Sequence, residues 1–109
     1  MKRDDRARLA DVLSAADAIR RHLARGPLDD GLVFDAVRIR LLEIGEAVKA
    51  IGLDVLAHEP DIPWRQITGM RDALAHRYFD TAHAVVQETV QSDLPRLVAA
   101  VERLLSRLT

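Results

Sequence analysis

Apolar residues recur at steps of three and four along most of this chain, which is the pattern of amphipathic helices that bury one face. The first such stripe predicts a helix that Asp4 or Asp5 caps and that runs to about Arg25. Its apolar positions are Leu9, Val12, Leu13, Ala16, Ile19 and Leu23. The Gly26-Pro27 pair should then stop the helix, because proline cannot continue it.

A second stripe predicts a helix from about Leu32 to Ile51, which Gly52 closes. Its buried face comprises Val33, Val37, Leu41, Ile44, Val48 and Ile51. Gly45 inside this helix costs about 1 kcal/mol of helix propensity, and a close helix crossing at that point is a reason to keep it. The stretch from Leu53 to Pro63 holds two prolines and predicts a short turn with at most one helical turn.

The second half of the chain predicts two more helices. Asp61 is a suitable cap for a third helix, with Pro63 in its tolerant first turn, and this helix should end near residues 78–79. Asp80 can cap a fourth helix. Its apolar stripe is Val86, Val90, Leu94, Leu97, Val98, Val101, Leu104, Leu105 and Leu108. Pro95 should kink this helix or divide it, because proline removes one backbone hydrogen bond.

These helices, without strand-like alternation, internal repeats or a linker, predict one domain over residues 1–109. We expect an all-α antiparallel bundle of four to five helices. Only 4% of residues are aromatic although 49% are hydrophobic, so the core must consist of Leu, Val, Ile and Ala. The chain has no cysteine, which excludes disulfides, thiolate metal sites and cysteine nucleophiles. No apolar run approaches the roughly 20 residues of a membrane span, and we expect a soluble, cytoplasmic protein.

The net charge restricts the possible binding partners but does not identify one. The formal net charge of -1 argues against a generally electropositive nucleic-acid-binding surface, but it allows a local basic site. All but two of the sixteen basic residues are arginine. Arginine suits bidentate contacts to phosphate, although a GC-rich genome produces the same composition.

Potentially reactive side chains are concentrated between Trp64 and Phe79, and above all between Arg71 and Tyr78. A histidine such as His76 can take a proton from a ribose 2′-hydroxyl or give one to the leaving oxygen. The guanidinium of Arg71 can hold a phosphate and stabilise the charge that develops on it. Tyr78 could orient the phosphate, stack on a base or serve as a modifiable hydroxyl. Arg71 and His76 together could cleave RNA without a metal.

Helix geometry limits how Arg71 and His76 cooperate. At about 100° per residue, they lie roughly 140° apart around a straight helix, whereas Arg71 and Tyr78 share a face. Either the helix ends before His76, or a second copy of the segment completes the site across a two-fold axis, which predicts a homodimer. The R-x4-H pattern is short, and the helix dipole favours Arg and His near a C-terminus anyway. Spacing alone therefore leaves a purely structural role open.

The run I-P-W-R-Q-I-T-G-M-R-D-A-L-A-H-R-Y-F resembles the R-x4–6-H-x-Y region of the HepT-like members of the HEPN superfamily. Two further segments are similar to that family. Gly45-Glu46-Ala47 resembles its second-helix G-E-A, and residues 92–97, S-D-L-P-R-L, resemble its D-L-P-x-L segment in the last long helix. The number, order and length of the predicted helices also fit, so the resemblance covers nearly the whole chain.

The resemblance implies a helical domain that dimerises around its motif helices. It also implies a metal-independent endoribonuclease, for which we expect no cofactor, acting as the toxin of a toxin–antitoxin pair. The implied partners are an RNA substrate and a nucleotidyltransferase antitoxin, which in this family transfers AMP onto the motif tyrosine, here Tyr78. By the same carry-over, Arg71 and His76 form the catalytic pair.

Three further positions have supporting roles in this interpretation. Asp72 stands where many relatives have Asn. It could orient Arg71 or His76, but its charge beside a phosphate site could also slow cleavage. Glu46 could pair with Arg71 if the second and third helices pack antiparallel, and a solvated helix residue is an equal alternative. Trp64 is better explained as a core or interface anchor than as a platform for base stacking.

Basic residues outside the catalytic pair have simpler explanations. Several arginines are candidates for contacts to RNA or to the antitoxin, although a solvated surface charge explains each one singly: Arg38, Arg40, Arg65 and Arg77. The other histidines are most simply surface residues: His22, His58 and His83. None of them follows a glutamate at the three-residue spacing that a di-iron bundle requires.

Two alternative functions stay open. The first is a non-catalytic helical binding module that docks a nucleotidyltransferase. The second is a structural dimerisation bundle in which Arg71 and Tyr78 only make interface hydrogen bonds. A neighbouring gene for a minimal nucleotidyltransferase would argue against the second. Growth arrest on expression of the chain alone, relieved by His76→Ala, would favour the toxin over both.

Overall fold

The structure, a computed structural model, describes residues 3–74 and 79–108, with their side chains except at residues 3, 71, 73 and 79–82. The α-helices are α1 (Arg3–Leu23), α2 (Gly31–Lys49), α3 (Leu53–Leu56), α4 (Trp64–Thr68), α5 (Met70–Leu74), α6 (Phe79–Glu88) and α7 (Leu94–Arg107). A π-helical turn, Thr89–Asp93, joins α6 to α7. No strand occurs in these ranges, and the predicted all-α class is confirmed.

α2 is the central element of the bundle. Its most extensive contact is with α1, and it also packs against α4, α5 and α6, while α7 returns to pack on α1. The residues that are fully buried are aliphatic: Leu9, Val12, Ile19, Val37, Leu41, Ile44, Val48, Leu74, Val86, Val101 and Leu104. Every apolar position predicted for the first two stripes is buried or half-buried, so the core is the aliphatic one that the composition requires.

Asp5 has a different role from the cap predicted for the first helix. α1 begins at Arg3, so Asp4 and Asp5 both lie within its first turn. The carboxylate of Asp5 is buried, and its Oδ1 accepts a hydrogen bond of 3.0 Å from the amide of Gly52. Because Gly52 is the N-cap residue of α3, Asp5 fixes the start of α1 to the connection between α2 and α3.

The second helix is close to its predicted limits. α2 begins at Gly31, one residue before the predicted start, and ends at Lys49, two residues before the predicted end. Asp30 caps it, because its side chain accepts a hydrogen bond of 2.9 Å from the amide of Leu32. The single helical turn predicted between residues 53 and 63 is confirmed by α3.

The prediction of one continuous third helix beginning at an Asp61 cap is wrong. Asp61 lies outside any helix, and Pro63 occupies the N-cap position of α4 without a side-chain hydrogen bond. Gly69 then separates α4 from α5. The predicted end of this helix, near residues 78–79, cannot be compared directly, because residues 75–78 lie outside the described residues.

The break at Gly69 has a local cause. The carbonyl of Arg65 accepts hydrogen bonds from both the Thr68 hydroxyl and the Gly69 amide, each at 3.0 Å. Side-chain hydroxyls that bond to a nearby carbonyl compete with the regular ladder of a helix. The amide of Asp72 bonds to the carbonyl of Gly69 at 3.1 Å, which is the tighter spacing of a 3₁₀ turn.

Pro95 divides the last long helix, as predicted. The chain forms the π-helical turn before α7 starts, and Pro95 lies in the first turn of α7. Proline has no amide hydrogen, and its ring clashes with the carbonyl four residues earlier. One extra residue in the preceding turn accommodates that clash. The predicted Asp80 cap is wrong, since α6 already includes Phe79. Within the described residues, no helix is both long enough and apolar enough to cross a lipid bilayer.

Candidate functional site

The motif begins in α5 and continues into residues that the structure does not describe. α5 carries Arg71 and Asp72, and the side chain of Asp72 is exposed. His76 and Tyr78 fall in residues 75–78, which lie outside the described residues. The side chain of Arg71 is not described either. The catalytic pair and the modified tyrosine therefore stay predictions. The structure describes the frame that surrounds them.

Apolar anchors fix the two short helices that lead into the motif. Ile67 of α4 and Met70 and Leu74 of α5 are all buried, and Leu74 is fully so. Their spacing of three and four residues places them on one face. Both helices pack against α2. The approach to the motif is thus held by the core and not by surface contacts.

Gly45 allows α2 and α4 to approach closely, as the sequence predicted. A Cβ atom built on Gly45 would lie 3.0 Å from the carbonyl oxygen of Ile67. Contacts of that length are tighter than almost any real Cβ makes, so a side chain here would push the two backbones apart. This close crossing fixes the position of α4 and α5 along α2.

Arg38 joins α2 to the last described residue before the motif histidine. Its Nη1 donates a hydrogen bond of 3.3 Å to the carbonyl oxygen of Leu74, and the Arg38 side chain is half-buried. The sequence made this residue a candidate for contacts to RNA or antitoxin, with a solvated surface charge as the simpler explanation. The hydrogen bond shows instead that Arg38 contacts α5.

The other predicted arginines differ from Arg38. Arg40 donates through Nη1 to both carboxylate oxygens of Glu43, at 3.0 and 3.2 Å, and through Nε to Nε2 of His22 at 3.5 Å. Arg65 is exposed on α4. Arg77 lies outside the described residues. Of the four candidate arginines, Arg38 is therefore the one whose described side chain contacts α5.

His83 is not the surface residue that the sequence suggested. Its ring stacks on Phe34 of α2, with ring centroids 5.6 Å apart and planes inclined by 10°. Its Nε2 lies 3.4 Å from Oδ1 of Asp29, and only 18% of the side chain is exposed. No local pattern marks this pair, because stacking depends on how α2 and α6 pack. Phe34 and Arg38 are four residues apart, so the same face of α2 contacts Leu74 of α5 and His83 of α6.

Trp64 anchors the start of α4, in agreement with the sequence. The indole Nε1 donates to the carbonyls of Leu56 and Glu59, at 3.1 and 3.0 Å. The ring is half-buried and packs against the core. These contacts fix the loop between α3 and α4, and they give the indole a structural role.

Glu46 lies on the exposed side of α2. It lines a groove of about 630 Å³ between α1 and α2, together with Arg8, Asp11 and Glu43. The predicted pair between Glu46 and Arg71 stays a prediction, because the side chain of Arg71 is not among those described.

A second groove, of about 410 Å³, runs beside Met70 between α4–α5 and the end of α6. Its charged lining residues are Glu88 and Asp93. Carboxylates repel the phosphates of RNA, so this side of α5 is unsuited to hold a substrate phosphate. On α5, the Leu74 carbonyl instead receives the Arg38 guanidinium.

Comparison with known proteins shows which family this chain resembles. Residues 11–104 match the family described as Ribonuclease HepT-like. The chain is 36% identical to the Methanocaldococcus jannaschii protein named "Putative RNase MJ0125", over 98% of this chain and 96% of that one. It is 37% identical to the Thermococcus cleftensis protein named "Probable ribonuclease HepT", over 95% of this chain and 98% of that one. No solved structure gives a significant match.

The all-α fold and the match over residues 11–104 identify an HEPN-type protein. Within that class, the chain belongs to the Ribonuclease HepT-like family. The family resemblance predicted from the motif segments is thereby confirmed.

Proposed function

We propose that this chain is a metal-independent endoribonuclease that acts as the toxin of a toxin–antitoxin pair in the cytoplasm. Family membership over residues 11–104 supports a ribonuclease. The observation that carries the proposal is the R-x4-H-x-Y pattern of Arg71 to Tyr78 in the sequence. The contacts of α2 to described residues on either side of it support the proposal, through Arg38 to Leu74 and through Phe34 to His83.

The proposed reaction is an internal transfer at one phosphate of the RNA. His76 takes the proton of the 2′-hydroxyl, and the 2′-oxygen attacks the adjacent phosphorus. The bond from phosphorus to the 5′-oxygen breaks, and His76, acting as general acid/base, gives a proton to that oxygen. The products are a 2′,3′-cyclic phosphate and a 5′-hydroxyl. Arg71 stabilises the charge on the phosphate oxygens during this step, and Tyr78 contacts the substrate.

A homodimer would supply the complete site. Arg71 and His76 are roughly 140° apart on a straight helix, so one copy of a straight motif helix cannot aim both at one phosphate. Two copies related by a two-fold axis can do so. Asp72 and Glu46 are proposed as supporting residues that orient Arg71.

A nucleotidyltransferase antitoxin would neutralise this site by transferring AMP from ATP onto Tyr78. The tyrosine oxygen forms a bond to the α-phosphorus of ATP, and pyrophosphate leaves. The added group is bulky and negatively charged where the RNA phosphate would bind. It would therefore exclude the substrate by both size and charge.

Cleavage of total cellular RNA by the purified protein in EDTA tests the ribonuclease. The wild type should leave cyclic-phosphate ends, and His76→Ala should lower the rate by about 100-fold or more. His58→Ala is the matched control, because His58 is an exposed histidine beyond α3 and should keep full activity. Equal cutting by His76→Ala and wild type would refute the role of His76.

A failure to cut would favour the non-catalytic module that docks a nucleotidyltransferase, provided that mass spectrometry finds no AMP on Tyr78. The antitoxin part has its own test. Incubation with ATP and the co-encoded nucleotidyltransferase should add one AMP to the wild type and none to Tyr78→Phe. Modification elsewhere in the chain would contradict the assignment of Tyr78.

A further inference from the structure

The groove between α1 and α2 carries both signs of charge above an apolar floor. Its volume is about 630 Å³, and its described lining residues all belong to these two helices. In the floor, Ala15 and Ala18 are buried, whereas Ile39 is 47% exposed although it is a large aliphatic residue. The described charged residues of the lining are three bases and three acids: Arg8, Arg21, Arg40, Asp11, Glu43 and Glu46. A surface that carries both signs equally suits a partner with the same pattern of charge.

Asp11 and Arg21 lie on either side of a stretch of small residues in α1. They are ten residues apart in the sequence, which is about 15 Å along a helix axis. Three small residues of the groove lie between them: Ser14, Ala15 and Ala18. The middle of this stretch therefore has an acid about 7.5 Å to one side and a base about 7.5 Å to the other.

This arrangement is complementary to itself. A two-fold axis that crosses the groove in the plane of contact reverses the direction of α1, so that α1 of one copy lies antiparallel on α1 of the other. Asp11 of each copy then lies opposite Arg21 of the other, and the small residues meet between these two pairs. An axis along the groove would instead place Arg21 opposite Arg40 of the other copy, because Arg40 contacts His22 at the same end of α1. Like charges would then repel each other.

Arg21 can take part in a new ion pair at little cost. Its side chain is 70% exposed, and its Nε lies 3.1 Å from Oδ2 of Asp17 on the same helix. An exposed ion pair of this kind contributes little to stability. Asp11 is exposed as well. Both partners of the predicted intermolecular pair are therefore accessible on the surface of α1.

The groove lies on a different side of α2 from the helices that lead into the motif. Phe34, Arg38 and Gly45 make the described contacts of α2 to α6, α5 and α4. Ile39 and Glu43 line the groove. At about 100° per residue, these two sets of positions point in clearly different directions around the helix. A second copy in the groove therefore leaves the described contacts of α4 and α5 in place.

We infer that the α1–α2 groove is a self-association surface, which binds the same groove of a second copy of this chain. The two α1 helices pack antiparallel, and two Asp11–Arg21 ion pairs join the copies. This contact is separate from the motif-centred homodimer of the proposed function, and it does not depend on ribonuclease activity.

Glu46 limits the strength of the contact. His22 and Arg40 are 3.5 Å apart through their side-chain nitrogens, which sets the register between the antiparallel helices α1 and α2. Six residues away from that point on each helix, position 16 of α1 lies beside Glu46 of α2. Glu46 thus meets Glu46 of the other copy near the axis, where like charges repel. We therefore expect weak association, with a Kd of about 10–100 μM.

Sedimentation equilibrium of the full chain at low salt, from about 1 to 500 μM, tests the contact. The average mass of the wild type should rise about twofold over this range. Arg21→Glu should weaken the association by about 10- to 100-fold, because two attractive pairs become repulsive. Arg20→Glu is the matched control, since Arg20 also pairs with Asp17 but is not among the residues that line the groove. It should associate like the wild type.

A mixture of two variants distinguishes a specific pair from a general change of charge. Asp11→Arg alone should weaken the association as much as Arg21→Glu does, because it places two cations opposite each other in both pairs. An equimolar mixture of Asp11→Arg and Arg21→Glu should regain the wild-type mass, since both pairs again join opposite charges. The proposal would be overturned by a wild type whose mass does not rise, by an Arg21→Glu variant that associates normally, or by a mixture that fails to recover.

Discussion

Gly45 of α2 lies so close to Ile67 of α4 that a Cβ atom on Gly45 would be 3.0 Å from the Ile67 carbonyl oxygen. Both residues are buried, and the contact is to backbone, which cannot rotate away as a side chain could. The crossing of α2 with α4 therefore depends on the absence of a side chain at position 45.

Gly45→Ala should destabilise the protein although alanine is the better helix former. The gain in helix propensity is about 1 kcal/mol, whereas forcing extra atoms into a packed core costs typically about 1–3 kcal/mol. The expected net loss is up to about 2 kcal/mol in the free energy of unfolding, measured by urea denaturation. Gly31→Ala is the control, since no atom would lie within 4 Å of its Cβ. It should be neutral or slightly stabilising, and equal stability of the two variants would contradict the steric argument.

The ion pair between Glu59 and Arg103 predicts a pH dependence of stability. Arg103 donates to both carboxylate oxygens of Glu59, at 3.1 and 2.7 Å. The Arg103 hydrogen bonds hold the pKa of Glu59 below its ordinary value of 4.5 in the folded protein. A carboxylate with a lowered folded pKa contributes stability above its unfolded pKa, and that stability is lost as the pH falls through the folded pKa.

Glu59→Gln should therefore be less stable than the wild type at pH 7, and the difference should shrink as the pH falls below the unfolded pKa of glutamate and on through the lowered folded pKa. Urea denaturation at pH 7 and at successively lower pH values measures this difference. Arg103→Met serves as the background control: in that variant, Glu59→Gln should lose most of its pH-dependent effect. A stability difference between Glu59→Gln and the wild type that grows towards low pH would contradict the lowered pKa of Glu59.

Trp64→Phe should weaken the connection between α3 and α4. The substitution keeps an aromatic ring but removes the indole N–H that donates to Leu56 and Glu59. Each carbonyl keeps a backbone amide donor, from Glu59 and Ile62 respectively, so losing the indole donor should cost about 0.5–1.5 kcal/mol in the free energy of unfolding. Leu53→Gln is the control, because Leu53 is 83% exposed in the same region and should change stability by less than about 0.5 kcal/mol. Equal effects of the two substitutions would contradict the anchoring role.

Local patterns predicted those parts of the fold that local physics decides. The apolar stripes located α1, α2 and α7, because a buried face must recur at helical spacing. Pro95 predicted a division, because its effect on its own helix is independent of context. Gly45 predicted a close crossing, because the helix propensity that glycine loses has to be offset by a packing contact.

Contacts between distant elements could not be predicted in this way. Asp5 reads as a helix cap in the sequence, but its partner is the amide of Gly52, 47 residues later. At the break near Gly69, the Thr68 hydroxyl donates to the Arg65 carbonyl beside its regular helical partner, the Gly69 amide, and the sequence does not show that this extra hydrogen bond forms. Arg38 looked like a surface charge, because the sequence does not show that Leu74 lies opposite it.

Asp72 offers a test of how charge in the motif helix affects cleavage. Its side chain is exposed on α5, directly after Arg71. A carboxylate there repels the phosphate that Arg71 is proposed to hold. Asp72→Asn keeps the shape and removes the charge, so it should raise kcat/KM by about two- to fivefold at low salt.

The gain from Asp72→Asn should fall at high ionic strength, because salt screens charges on an exposed surface. Measuring kcat/KM on a short RNA at about 20 mM and about 500 mM salt separates this screening from a local structural effect. Asp11→Asn, an exposed acid on α1, is the isosteric control and should show a smaller gain at low salt. A slower Asp72→Asn variant at both salt concentrations would reverse the interpretation. Asp72 would then orient Arg71 or His76, and its charge would contribute to catalysis.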